Sequence, residues 1–278
     1  MTSVTGTNIH PLEEENRKLR QQLALVHRER VEYLQNVSHQ LVAPLNAIKW
    51  HIENITQARV SIERGKKVLR SIYSQATVAV HLAKNFALMS NLEADHSLTA
   101  MREPLQAVSL CQLLVNLADD FQPQGWDKEI DISVENPTLD LLPQVLVIKP
   151  LISQVFSNVI ENAVKYSARK SLVSISGSYD AKADMVTVHI QNDGIPIKAD
   201  EINRVFGRGY RSQEAKSAYP AGTGFGLYIA KRIVDIHEGA ISCSMEHKGR
   251  VVFSIALPVK ALEGKTRQRA PKDRPSGR

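Results

Sequence analysis

The chain has 278 residues, 43% apolar and 23% charged, with a formal net charge of +6. That is enough chain for two domains, with the composition of a folded globular protein rather than a disordered or collagenous one. No apolar run approaches the ~18 residues of a membrane-spanning helix and no signal peptide opens the chain, so the expected location is cytoplasmic.

Residues 1–10 read as a loose polar N-terminus. Pro11 opens a helix, and Glu13, Glu14 and Glu15 suit its positive end. Leu12, Leu19, Val26 and Tyr33 then repeat every seven residues, beside a second row of Asn16, Leu23, Arg30 and Val37. Over residues 11–35 this is a two-row coiled-coil seam. Asn16 is the kind of polar seam residue that fixes register, and Arg30 fits poorly. A helix packed within one chain would share the pattern. The dimer seam is favoured because the pattern runs unbroken into the next segment.

That segment, Asn36 to Ile48, reads NVSHQLVAPLNAI. Val37, Leu41, Leu45 and Ile48 form one helical face. His39 falls off that face and is expected in water. Pro44 interrupts and kinks the helix by removing a backbone hydrogen bond. A turn is expected at Gly65. A second helix follows, with Val68, Leu69, Ile72, Ala76, Ala79, Val80, Ala83 and Leu88 on its apolar face, ending between Asn91 and Asp95. Two such helices cannot cover both faces alone; two copies make a four-helix bundle.

His96 to Glu103 is a polar connector. From Pro104 the pattern changes. Leu110 to Phe121 is helical, Glu129 to Glu135 and Val145 to Ile148 are strands, and Pro150 to Tyr166 is an amphipathic helix. Leu172 to Tyr179 and Met185 to Asn192 are strands. A glycine-bearing loop spans Gly207 to Gly226, and Leu227 to His237 is helical. Ala240 to Glu246 and Val251 to Leu257 close a hairpin around Lys248 and Gly249. This predicts one sheet covered by helices. Cys111 and Cys243 lack metal-ligand spacing and read as reduced core residues. Residues 261–278 hold six Lys or Arg against Glu263 and Asp273. They read as a solvated, disordered tail, and nucleic-acid binding is not expected.

Three features of the second region carry chemistry. Asn158 and Asn162 are four apart on one helix face, with Lys165 and Tyr166 a turn on. Amide oxygens suit Mg2+, and the lysine suits phosphate. Asn192, Asp193 and Gly194 end a strand, where a short carbonyl can accept from an adenine amino group. Gly222, Thr223, Gly224, Phe225, Gly226 and Leu227 open a helix whose free N–H groups can hold phosphates. Each alone also reads blandly, as a polar helix face, a turn or a flexible loop. There is no GxxxxGK[ST] pattern, and no strand directly precedes the glycines as a dinucleotide fold requires.

In this order the set resembles the transmitter of the sensor histidine kinases. SHQLVAPL resembles their H-box, QVFSNVIENAVKYS the N-box, NDGIPI the first glycine box, VFGRGYR the F-box and GTGFGL the second glycine box. The resemblance implies an α plus α/β two-domain chain: a HisKA dimerisation and phosphoacceptor domain over 29–96, then a Bergerat-fold (GHKL) ATP-binding sandwich over 104–260. It implies that His39 is phosphorylated from ATP, with Gln40 beside it orienting the ring. Asn158 and Asn162 would hold Mg2+. Lys165, with Arg208 or Arg211, would steady the phosphates, and Tyr166 would lie near the nucleotide. Ile197, Phe206 and the two glycine boxes complete the implied ATP site, and residues 207–221 are the implied lid. A homodimer, a separate response regulator and a separate sensory partner are the implied associates.

Four positions depart from the commonest pattern. Gln40 replaces an acidic neighbour, which predicts slower phosphorylation. Ala43 replaces a polar residue, which predicts weak phosphatase action on the regulator. Asn192 replaces the adenine-reading Asp, and Pro196 replaces a glycine. Two other readings share the ATP-site motifs, an ATPase and a nucleotide-binding scaffold. Against the first, Asn158 stands where such ATPases carry a Glu base, and an amide cannot act as one.

Overall fold

The computed structural model describes residues 10–57, 61–94, 104–220, 222–246 and 249–259. Residues 1–9 of the expected loose N-terminus, the 96–103 connector, Ala221, Lys248 and the basic tail lie outside the described residues.

Two long helices come first, α1 (His10–Gln57) and α2 (Ile62–Ala94). The helix α1 runs through Pro44 without a break, and the Pro44 ring is buried. Gly65 lies inside the first turn of α2, its N–H bonded to the Ser61 carbonyl at 2.8 Å, so it is a helical residue and not the turn expected there. Nothing stands within 4 Å of the position its Cβ would take, so an open helix surface hosts this glycine.

The rest of the chain orders as β1 (Gln106–Val108), α3 (Leu110–Trp126), β2 (Asp131–Val134), α4 (Asn136–Leu139), β3 (Val145–Val147) and α5 (Lys149–Tyr166). Then come β4 (Leu172–Asp180), β5 (Met185–Asp193), α6 (Gln213–Ala218), α7 (Gly226–Ile236), β6 (Ala240–Glu246) and β7 (Arg250–Pro258). The pattern of apolar residues places every long element. It does not reveal β1, the single turn α4 or the short α6.

Five strands form one mixed sheet in the order β2-β4-β5-β7-β6, with β2 and β4 parallel and the other neighbours antiparallel. A separate antiparallel pair joins β1 to β3. Along β5, Val186, Val188 and Ile190 alternate inward and are fully buried. The helix α5 lies over that face. Its Ile152, Val155, Phe156, Val159 and Ile160 are fully buried, because α3 and α7 flank it and the sheet lies beneath. His237 pins the far end of α7: its Nε2 accepts from the Ile148 N–H at 3.1 Å.

The helical hairpin docks on this layer. Val37 and Met89 are buried in the same apolar cluster as α3, α5 and α7. The contacting face of α2 matches the apolar stripe read from the sequence only in part: Ala79 is buried and Leu88 packs on the core. Ser74, His81, Asn85 and Met89 are buried, whereas Leu69 is 61% and Val80 54% exposed. Leu45 on α1 is also exposed, so the predicted Val37–Leu41–Leu45–Ile48 face is only partly covered. Upstream, Leu19 and Leu23 of the expected seam are exposed, as is Asn16. The side chains of Leu12, Val26, Arg30 and Tyr33 lie outside the described residues.

Candidate nucleotide site

One cavity collects most of the predicted site. Gln40, Asn158, Asn162, Lys165, Tyr166, Asn192, Ile197, Arg211, Gly222, Thr223, Gly224, Gly226 and Leu227 all line it. It opens where α5, the end of β5 and the start of α7 converge, and α1 and α2 close one side. Its walls mix apolar side chains with a few amides and charges, the usual make-up of a small-molecule site.

The backbone explains the convergence. Asn192 lies one residue before the end of β5, 4% exposed and paired in register with Val173 and Val251. Gly194 follows because a Cβ there would overlap the Tyr166 carbonyl oxygen. The Ile195 N–H bonds that same oxygen at 3.1 Å, which ties the strand end to the end of α5. Gly226 opens α7 against Asn158: a Cβ on it would lie 3.3 Å from Asn158 Oδ1. No side chain caps α7, so its first N–H groups remain available to an anion.

The polar groups differ in what they offer. Asn162 is half-buried and lines the cavity. Asn158 is 2% exposed, and its Oδ1 accepts from Asn85 Nδ2 of α2 at 2.8 Å. Asn158 Nδ2 has no partner among the described residues. Burial depresses the Lys165 ammonium pKa, Glu161 opposes this, and Arg211 and Lys128 add to the depression. The Lys165 Nζ lies 5.6 Å from the Tyr166 ring centroid and 5.4 Å from that of Tyr219. Burial raises the Tyr166 hydroxyl pKa, against Arg211.

Arg211 is occupied by the loop itself. Its guanidinium donates to the carbonyls of Ala215, Tyr219, Pro220 and Gly222. These contacts fold the segment expected to be a lid around one side chain. Gly209 and Gly224, at φ +66° and +74°, sit against each other in the same loop.

Asp193, Gly194, Phe206, Arg208 and Phe225 do not line the cavity. Asp193 turns to Arg250 at 3.1 Å. Phe206 is buried edge-on to Phe253. His39 is exposed and does not line the cavity either, but its neighbour Gln40 does.

Sequence reasoning missed Leu82, Asn85 and Glu161, which also line the cavity. Glu161 carried a signal, being four residues before Lys165 on one helix face. His81 and Asn85 carried a subtler one: two polar residues at i, i+4, on one face of the helix.

A metal here has few anionic ligands. Among the described residues, no group of three or more His, Cys, Asp or Glu could hold an ion. An amide oxygen plus substrate phosphates and water is a set that suits Mg2+. Asn162 fits that role; the Asn158 oxygen is engaged by Asn85.

Residues 148–261 match the family of histidine kinase-, DNA gyrase B-, and HSP90-like ATPases. The chain is 29% identical over 240 residues to the sensor protein kinase WalK of Staphylococcus saprophyticus, covering 86% of this chain and 38% of that protein. It is 28% identical over 235 residues to the sensor histidine kinase WalK of Bacillus subtilis, covering 84% and 37%. The chain thus spans less than two-fifths of the length of these relatives. Full-length ShkA in complex with AMPPNP shares the fold, with TM-score 0.53 and 22% identity over 82% of this chain and 45% of that one. So does the Acinetobacter baumannii histidine kinase AdeS, with TM-score 0.50 and 17% identity over 80% of this chain and 98% of that one.

Proposed function

We propose that this chain, a homologue of the sensor histidine kinases with an ATPase domain of their type, is an ATP-dependent protein-histidine kinase that phosphorylates its own His39. The observation that carries the reading is the position of Gln40. The residue next to His39 lines the same cavity as Asn162, Lys165 and the glycine loop. The acceptor helix therefore reaches the wall of the candidate nucleotide site within one chain.

In this reading the adenine lies against Asn192 and Ile197. The phosphates lie at the start of α7, within reach of Lys165. Burial keeps that lysine's charge poorly solvated, so an incoming phosphate is a strong partner. Mg2+, when bound, offsets the phosphate charge, with Asn162 as its ligand from the chain. The γ-phosphoryl passes in line to a neutral ring nitrogen of His39, ADP leaves, and the ring proton goes to solvent. Such transfer depends mainly on positioning and charge stabilisation. Gln40 can orient the ring through its carbonyl but cannot take its proton.

The phosphohistidine then donates to an aspartate of a separate response regulator. A second copy of the chain covers Leu19, Leu23, Leu45, Leu69 and Val80, whose exposure in one chain leaves a long apolar surface on the hairpin. No helix among the described residues is long and apolar enough to cross a membrane.

Incubation with γ-labelled ATP and Mg2+ tests the reading. Acid-labile, base-stable label that disappears in His39→Ala is the expected result. Phosphate release without label would instead identify an ATPase, and neither would identify a scaffold. Label that survives His39→Ala overturns His39 as the acceptor.

A further inference from the structure

Three amides form a chain across the junction between the hairpin and the ATPase layer. Gln154 Nε2 donates to Asn85 Oδ1 at 3.0 Å, and Asn85 Nδ2 donates to Asn158 Oδ1 at 2.8 Å. All three are buried, at 3%, 9% and 2% exposure. Asn85 comes from α2; the other two come from α5. The last donor of the chain, Asn158 Nδ2, has no acceptor among the described residues. Asn158 and Asn85 both line the cavity.

We propose that Asn85 is a positioning residue that selects which end of the Asn158 amide serves the bound nucleotide, and thereby sets how strongly nucleotide binding depends on Mg2+. The proposal rests on the nucleotide site described above.

A carboxamide has one accepting end and one donating end. With its oxygen held by Asn85, Asn158 has only N–H to give. An N–H satisfies a phosphate oxygen and repels a cation. A buried donor left unmet is costly, so an anion is the ligand this polarity favours. For the Asn158 oxygen to reach a metal ion, the chain must turn over. Asn158 then donates to Asn85, and Asn85 donates to Gln154. Turnover needs Asn85 and Gln154 to reverse together with Asn158, so while Asn85 holds the Asn158 oxygen a cation meets N–H rather than oxygen. Asn85 makes this choice a property of the docked hairpin rather than of the ATPase layer alone.

His81 supplies the control. It crosses the same junction by a separate contact, Nδ1 to Glu161 Oε2 at 2.6 Å. Loss of that contact loosens docking without freeing the Asn158 oxygen.

The test uses the full chain and a fluorescent ATP analogue, titrated once with Mg2+ and once with EDTA. The quantity read is the ratio of the two affinities. In Asn85→Ala the Asn158 oxygen is released, and the ratio shifts toward Mg2+ by about three- to tenfold, the worth of one hydrogen bond. In His81→Phe both affinities move together and the ratio stays at the wild-type value. If Asn85→Ala does not fold, Asn85→Asp, which accepts from both neighbours and donates to neither, shifts the ratio the same way. An unchanged ratio in the folded Asn85 variant overturns the proposal. So does an equal shift in His81→Phe, which would make undocking the whole cause. Wild-type protein that binds no nucleotide in either buffer overturns the nucleotide site itself, and the proposal falls with it.

Discussion

His81 of α2 places Nδ1 2.6 Å from Oε2 of Glu161 on α5, with the two side chains only 5% and 20% exposed. The pair joins the hairpin to the helix that carries Asn158 and Asn162. Neither ring nitrogen of His81 has a well-aligned hydrogen-bond acceptor, so the contact is one of close approach. Burial alone would raise the Glu161 carboxyl pKa; His81 first, and Lys165 after it, outweigh this and hold it below the ordinary carboxylate value.

A depressed folded-state pKa stabilises the fold above the ordinary carboxylate pKa of about 4.3, and the benefit is lost as pH falls through the folded value. Glu161→Gln is therefore expected to lower the melting temperature near pH 7, at a cost of about 1–3 kcal/mol. The gap from wild type should narrow steadily below about pH 4. Melting curves across pH check this; a gap that is constant with pH refutes the pairing.

Gly224 has φ +74°, and a Cβ there would stand 2.7 Å from the carbonyl carbon and oxygen of Gly209. The left-handed backbone costs a side chain about 1–2 kcal/mol before the clash is counted. Gly224→Ala should weaken binding of an ATP analogue at least about tenfold by distorting the loop before α7. The melting temperature should fall by only a few degrees, since the loop lies outside the sheet core and can relax. Equal loss of stability and binding would show instead that the loop supports the fold.

Arg211 gathers four backbone carbonyls from residues 215–222. Arg211→Ala leaves them to water and lets the segment open. Tryptic cleavage after Lys216, in α6, should accelerate several-fold, and bound nucleotide should slow it. Cleavage at the wild-type rate would mean that α6 holds the segment unaided.

Both thiols are expected to be slow. A hydrogen bond to Asp140, then burial, pushes Cys111 up to about 11, and burial pushes Cys243 up to about 12. At pH 8 a thiol with a pKa near 11 is thiolate about one part in a thousand. A disulfide reagent at pH 8 should find no fast thiol in the folded chain and two in denaturant. The reaction of Cys111 should quicken as pH rises toward 11.

The long elements were legible because burial on one face writes its period into the sequence. The helix α5 and strands β4, β5, β6 and β7 follow their apolar spacing to within a residue or two. What failed was short or set by tertiary contact. Strand β1 has three residues and α4 has four, too few to show a period. Gly65 reads as a turn by local preference, yet α2 runs through it. The site split the same way. Motif residues with their own backbone demands, such as Asn192 and Gly224, were found where expected. Asn85 and His81 were missed because their role exists only once α2 meets α5. Asp193 was misplaced because alternation along β5 sends it away from Asn192, toward Arg250.

The unbroken length of α1 has a mechanical meaning. Between His10 and His39 it rises about 44 Å at 1.5 Å per residue. No loop or hinge interrupts that rod, and Pro44 lies beyond His39. Torque or axial pull applied near His10 would thus reach His39 as rotation or translation, with little to absorb it on the way. A rotation of one residue's worth, about 100°, would turn His39 about the α1 axis toward a different set of neighbours. Whatever grips the far end of the rod sets the angle at which the histidine meets the cavity.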